Sequence, residues 1–75
     1  MDFHDRLKEL RGQSLLMQKE LAALLDVSVR TFQGWETGRS EPSLEKLLAL
    51  ADIFDVSMDY LLCRDYPKRT LRDSK

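Results

Sequence analysis

Residues 24–36 read LLDVSVRTFQGWE. One apolar stretch with helical spacing closes at Leu25, and a second, carrying Phe32 and Trp35, opens at Ser28. Only Asp26 and Val27 separate them, too few residues for a linker, so the chain leaves one helix, turns at once and starts another. The second helix opens on Val29, Arg30 and Thr31, a more polar first turn than a helix buried for structure alone needs. Something outside the protein is expected to meet those side chains.

Helix-period apolar spacing recurs along the whole chain. Phe3, Leu7 and Leu10 mark helix 1, from roughly residue 2 to residue 12. Gln18, Lys19 and Glu20 form the polar first turn of helix 2, whose apolar side is Leu21, Leu24 and Leu25. Helix 3 runs from Ser28 to Gly38. Leu44, Leu47, Leu48, Ala51 and Phe54 mark helix 4, and Met58, Leu61 and Leu62 mark a short helix 5. Strand-like alternation and internal repeats are absent, so the fold class is all-α, a compact five-helix bundle. Ser28, Ser43 and Ser57 each stand just ahead of an apolar-periodic stretch. There a side-chain oxygen accepts from an orphan backbone N–H, worth about 1 kcal/mol per cap. Gly38 supplies a stop for helix 3, and Pro42 pushes Glu41 out of helical geometry ahead of helix 4.

The chain has 75 residues, 43% of them hydrophobic and 33% charged. That suits one small globular domain, in which folding buries about 60% of the surface the unfolded chain exposes. Apolar runs stop at five residues, which offers no membrane span and no signal-peptide core. A single cysteine, Cys63, neither staples the fold nor holds a structural zinc ion by itself. The expectation is a cytosolic protein without disulfide, metal or cofactor. The net charge is −1, yet its distribution is uneven: residues 1–63 hold seven basic and eleven acidic side chains, and residues 64–75 five basic and two acidic. Acidic residues gather at Glu45, Asp52, Asp55 and Asp59, which leaves another side of the domain free for phosphates. The expected organisation is a folded domain over residues 1–63 and a basic tail, extended or disordered, over residues 64–75.

The pieces RLKELR (6–11), QKELAALL (18–25), VS (27–28), TFQGWETGR (31–39), PSLEKLLALAD (42–52) and VSMDYLL (56–62) follow one another in a known order and spacing. Over about three quarters of its length the chain resembles the Cro/repressor-type helix-turn-helix family, often called the XRE family. The resemblance implies a lambda-repressor-like domain and a DNA-binding transcription regulator. Such regulators are usually repressors acting as dimers on a near-palindromic operator. The family usually has a glycine at position 15 and a threonine N-cap at 17, where this chain has Leu15 and Met17. Methionine cannot cap, so helix 2 is expected to start earlier, from Ser14. Asp26 replaces the turn glycine and visits left-handed geometry more easily than most residues. Gly34 sits inside helix 3, where glycine costs about 1 kcal/mol relative to alanine.

Phe32 and Trp35, three apart, share a face and belong to the core, which leaves Val29, Arg30, Gln33 and Gly34 for the outer face. Aligned on the family's motif, the base-reading positions fall on Val29, Arg30 and Gly34. Arg30 can donate two hydrogen bonds to O6 and N7 of a guanine, or be an ordinary solvated charge. Val29 can pack on a thymine methyl or cover the helix 2 side of the core. Gly34 brings no reading group and permits close approach. Gln33 can reach an adenine edge or a phosphate, or be a plain surface residue. The resemblance assigns phosphate contact to Gln18 at the start of helix 2 and to Arg39 in the loop after Gly38. Lys19, Ser28 and Thr31 lie near enough to join them, although capping is explanation enough for Ser28. The same resemblance pairs Glu36 with Arg11 as a partly buried ion pair, which fixes orientation more surely than it adds stability.

Enzyme chemistry has little to stand on. His4, the single histidine, falls at the start of helix 1 and is expected to be solvated, Cys63 has no activating partner, and three scattered glycines form no phosphate cradle. The serious competitor is a protein-interaction module with the same fold, such as an antitoxin that binds a toxin as well as its own operator. The acidic body, Gly34 and Met17 favour it. Met58, Leu61 and Leu62 offer apolar surface for a homodimer, or simply close the core. The expected partners are double-stranded DNA, a second copy of the chain and, on the competing reading, another protein; a membrane is not among them.

Overall fold

Three helices open on a serine. Ser28, Ser43 and Ser57 have extended backbone, and each hydroxyl oxygen accepts the N–H three residues on: from Thr31 at 3.0 Å, Lys46 at 3.3 Å and Tyr60 at 3.0 Å. The structure, a computed structural model, describes residues 1–64, so the tail expected over 64–75 lies, beyond Arg64, outside the described residues. Its helices are α1 (Phe3–Ser14), α2 (Gln18–Leu24), α3 (Val29–Thr37), α4 (Leu44–Phe54) and α5 (Met58–Leu61). No strand occurs among the described residues.

Two boundaries differ from the sequence reading, and each has a local cause. α1 continues past residue 12 because the Ser14 hydroxyl donates to the Leu10 carbonyl at 2.8 Å, and the stop comes only at Leu15, which adopts left-handed backbone with φ 59°. α2 does not begin at Ser14. It begins at Gln18, with Met17 holding the extended backbone of an N-cap while its side chain makes no capping hydrogen bond. Glu20 substitutes in part, accepting the Met17 N–H at 2.7 Å. At the corner after α2, Asp26 takes φ 59°, the geometry for which the aspartate was suited.

One core cluster joins all five helices. Leu7 and Leu10 come from α1, Leu21 and Ala22 from α2, Leu25 from its end, Phe32 and Trp35 from α3, Leu50 and Ala51 from α4, and Leu61 from α5. Phe32, Leu7, Leu21, Leu50 and Leu61 are fully buried, each worth about 1.5–3 kcal/mol of apolar transfer. α3 packs on both α1 and α2. Leu61 and Met58 close this core from α5. Three leucines of the apolar pattern turn outward instead: Leu24, Leu44 and Leu48 are exposed, while Leu50, outside the expected helix 4 stripe, is buried. A short helix in a bundle is approached by several neighbours, and their positions choose which side is covered.

Polar contacts tie the elements together. Lys46 on α4 donates through Nζ to the Leu25 carbonyl at 2.6 Å, a cation set on the C-terminal end of α2. His4 is not freely solvated as expected: it is half-buried, with Nδ1 2.6 Å from the Trp35 carbonyl oxygen and its ring edge-on to Phe3. Gly38 lies beside the ring, and its left-handed backbone at φ 83° is what favours glycine at this helix end.

Candidate nucleic-acid interface

α3 divides its surface between core and solvent. Phe32 and Trp35 point inward, their ring centroids 5.7 Å apart. Arg30, Thr31 and Gln33 are exposed on the other side, and Val29, at 37% exposure, is exposed beside them and is not part of the core cluster. Ser28 does cap the helix, and its hydroxyl also donates to Thr31 Oγ1 at 3.0 Å. Both hydroxyls therefore sit at the exposed N-terminus of α3, already paired with each other.

Beside this face lies a depression of about 280 Å³ lined by Gln18, Arg30, Gln33, Gly34, Thr37 and Arg39. Two guanidinium groups reach it and none of its lining residues is acidic. The acid of α3 is turned away: Glu36 is 4% exposed and is held by Arg11, with Nε 2.5 Å from Oε2 and Nη2 3.3 Å from Oε1. Gln18 is more occupied than a free phosphate ligand. Its Nε2 donates to Glu36 Oε1 at 2.8 Å, and its Oε1 accepts from Gln33 Nε2 at 3.1 Å. Lys19 is exposed on α2 and stands apart from the lining.

Gly34 does not share the exposed outer face expected for it: it is buried beneath the loop that follows α3. Its carbonyl accepts the N–H groups of Gly38, of Arg39 at 2.9 Å and of Ser40 at 3.2 Å. A Cβ at Gly34 would lie 2.8 Å from the Ser40 hydroxyl oxygen, which would have to turn away. The glycine thus lets the loop close tightly and carry Arg39 to the rim of the depression. Thr37 is a lining residue that the sequence reading passed over, because Thr37-Gly38 reads only as a helix stop. The Lys46 and His4 contacts were equally invisible there, since each joins residues more than twenty positions apart.

The family model described as helix-turn-helix matches residues 7–61. The chain belongs to the XRE-type helix-turn-helix family. Over 66 residues it is 44% identical to the HTH-type transcriptional regulator AnsR of Bacillus subtilis, covering 88% of this chain and 57% of that protein. Over 62 residues it is 37% identical to the HTH-type transcriptional activator BcrR of Enterococcus faecalis, covering 83% of this chain and 30% of that one. The chain therefore spans less than two thirds of the length of either relative. Among solved structures it is similar to the P22 c2 repressor protein in complex with a synthetic operator, with TM-score 0.79 and 32% identity over 87% of this chain and 98% of that chain. A transcriptional regulator from Listeria innocua gives TM-score 0.79 and 29% identity over 96% of this chain and 70% of that chain. Within this XRE-type domain, Leu15, Met17 and Asp26 depart from the usual residues while keeping the backbone those residues would take: left-handed at Leu15 and Asp26, extended at Met17.

Proposed function

We propose that this chain is the DNA-binding domain of a transcription regulator and lays α3 in the major groove of double-stranded DNA. One observation carries the reading. The face of α3 opposite the buried Phe32–Trp35 pair is exposed and bears Arg30 and Gln33, next to Arg39, around a depression without an acidic lining residue. On this reading Arg30 donates to a guanine, Val29 packs on a thymine methyl and Gln33 meets a base edge, while Gly34 acts indirectly, by letting the loop that carries Arg39 close over it. Gln18, Lys19, Ser28, Thr31 and Arg39 face phosphates and fix register. The activity is binding rather than catalysis, in the cytoplasm. A single domain of this size covers a half-site, so two copies are expected on a near-palindromic operator with their α3 helices about 34 Å apart. Repression is the preferred outcome because a repressor bound to its operator shares nearly the whole domain with this chain.

The test is selection of bound fragments from random duplex DNA, followed by affinity measurements across salt concentrations. Several phosphate contacts produce a steep fall in affinity as salt rises. Arg30→Ala is expected to relax one base pair of the selected site and cost about 1–3 kcal/mol there, whereas Arg39→Ala weakens all sequences alike. Absence of binding to any duplex at low salt overturns the reading. Exposed Leu24, Leu44 and Leu48 favour a second reading, a protein-interaction module of the same fold, which that outcome would leave standing.

A further inference from the structure

Four side chains form one hydrogen-bonded line from α1 through α3 and α2 back to the outer face of α3. Arg11 donates twice to Glu36, Gln18 donates to the same carboxylate at 2.8 Å, and Gln33 donates to Gln18 at 3.1 Å. The direction of every link has a single origin. A carboxylate gripped by a guanidinium only accepts, so Gln18 must offer it an amide N–H. That turns the Gln18 carbonyl towards Gln33, which must answer with an N–H of its own. The Gln33 carbonyl and its second amide hydrogen are then left for other partners, on an exposed residue at the edge of the depression. An acceptor and a donor side by side match adenine, which shows N6–H and N7 in the major groove. Guanine shows two acceptors there and leaves the carbonyl unanswered.

We propose that Gln33 reads an adenine and that Gln18, Glu36 and Arg11 are positioning residues that hold its amide in the reading orientation. Specificity at one base pair is thereby set from a charge on α1. The inference rests on the DNA-binding reading above. A free glutamine has three rotatable side-chain bonds to order on binding; this one is ordered beforehand from a site that is nearly closed to solvent.

The experiment compares base preference at every position of the selected site for the wild type, Gln33→Ala, Gln18→Met and the double substitution. Methionine keeps a straight-chain helix former at position 18 but offers Gln33 no carbonyl; Gln18→Ala repeats the measurement should the methionine variant not fold. Gln33→Ala is expected to lose adenine preference at one pair, about 10-fold in discrimination. Gln18→Met lowers discrimination severalfold at that same pair, and the double substitution loses no more there than Gln33→Ala alone. A Gln18→Met protein that loses affinity equally for all sequences, with a shallower salt slope, has lost a phosphate contact only and overturns the inference. Unchanged preferences in Gln33→Ala overturn it as well. Both outcomes leave the DNA-binding reading intact, whereas a wild-type protein that selects no sequence overturns the two together.

Discussion

Arg6 and Tyr60 are joined twice: the guanidinium carbon lies 3.8 Å from the centre of the tyrosine ring, and Nη1 donates to the tyrosine's own carbonyl at 2.6 Å. The pair connects the first turn of α1 to α5, with the arginine side chain 11% exposed and its Nε 3.2 Å from Glu9 Oε1. Lysine keeps the charge but loses the planar stack and the fork of donors. Arg6→Lys is expected to lower unfolding stability by about 1–2 kcal/mol, and Arg6→Ala by about 2–3 kcal/mol because the carbonyl also loses its partner. Denaturant midpoints at unchanged slope measure both; equal stability for arginine and lysine would show that the stack contributes nothing.

Removing Glu36 leaves the Arg11 guanidinium and the Gln18 amide without their shared acceptor. A fully buried pair broken on one side costs about 3–5 kcal/mol. Arg11 is 26% exposed, so water recovers part of that, and Glu36→Ala is expected to cost about 2–3 kcal/mol. Affinity for a selected duplex should fall in parallel, because α3 loses its tether to α1. If melting temperature and affinity both stay at wild-type values, the ion pair does not orient the helix.

Leu15 stands in left-handed backbone at φ 59° with its side chain 88% exposed. That conformation costs a non-glycine residue roughly 1–2 kcal/mol, and burial returns almost nothing here. Leu15→Gly relieves the strain, offset in part by the greater freedom of glycine in the unfolded chain. A net gain of about 0.5–1 kcal/mol is expected. A loss of stability in thermal unfolding would show that the leucine is held by contacts of its own.

Met17 already has the backbone of an N-cap and already receives Glu20 from the third helical position. Only the side-chain oxygen is missing. Met17→Thr should complete the reciprocal arrangement and stabilise the domain by about 1 kcal/mol, a rise of roughly 4–8 °C in Tm for a domain this small. An unchanged Tm would mean that the α2 N-terminus is satisfied by other means.

At Asp2 the carboxylate is held below its ordinary value of 3.8, first by the hydrogen bond from the Asp5 N–H, with a smaller contribution from the nearby charge of His4. The folded group binds its proton more weakly than the unfolded one, so the cap stabilises α1 above the ordinary aspartate range and is lost as acid protonates it. Asp2→Asn keeps a capping oxygen without the charge. Its stability profile below about pH 4 should therefore be flatter than that of the wild type; a steeper profile reverses the assignment.

Much of the candidate site was legible because it depends on neighbours along one helix. Phe32 and Trp35 define the inner face of α3 by spacing, and Arg30 and Gln33 follow on the outer face. Ser28, Ser43 and Ser57 announce helix starts because a cap acts within three residues. The Arg11–Glu36 pair, twenty-five positions apart, came from family likeness and not from any local pattern. Nothing in the string shows that Gln18 sits between Glu36 and Gln33, or that His4 rests on the far end of α3.

Local chemistry alone therefore determined five helices, the serine caps of α3, α4 and α5, and the inward Phe32–Trp35 side of α3, since each follows from contacts within a turn or two. Tertiary packing decided which leucines are covered, leaving Leu44 and Leu48 in solvent and burying Leu50. It also decided which polar groups satisfy one another across the bundle. The reason is geometric: helical period fixes the angle between side chains on one cylinder, but only the placement of the other cylinders says which angle faces the interior.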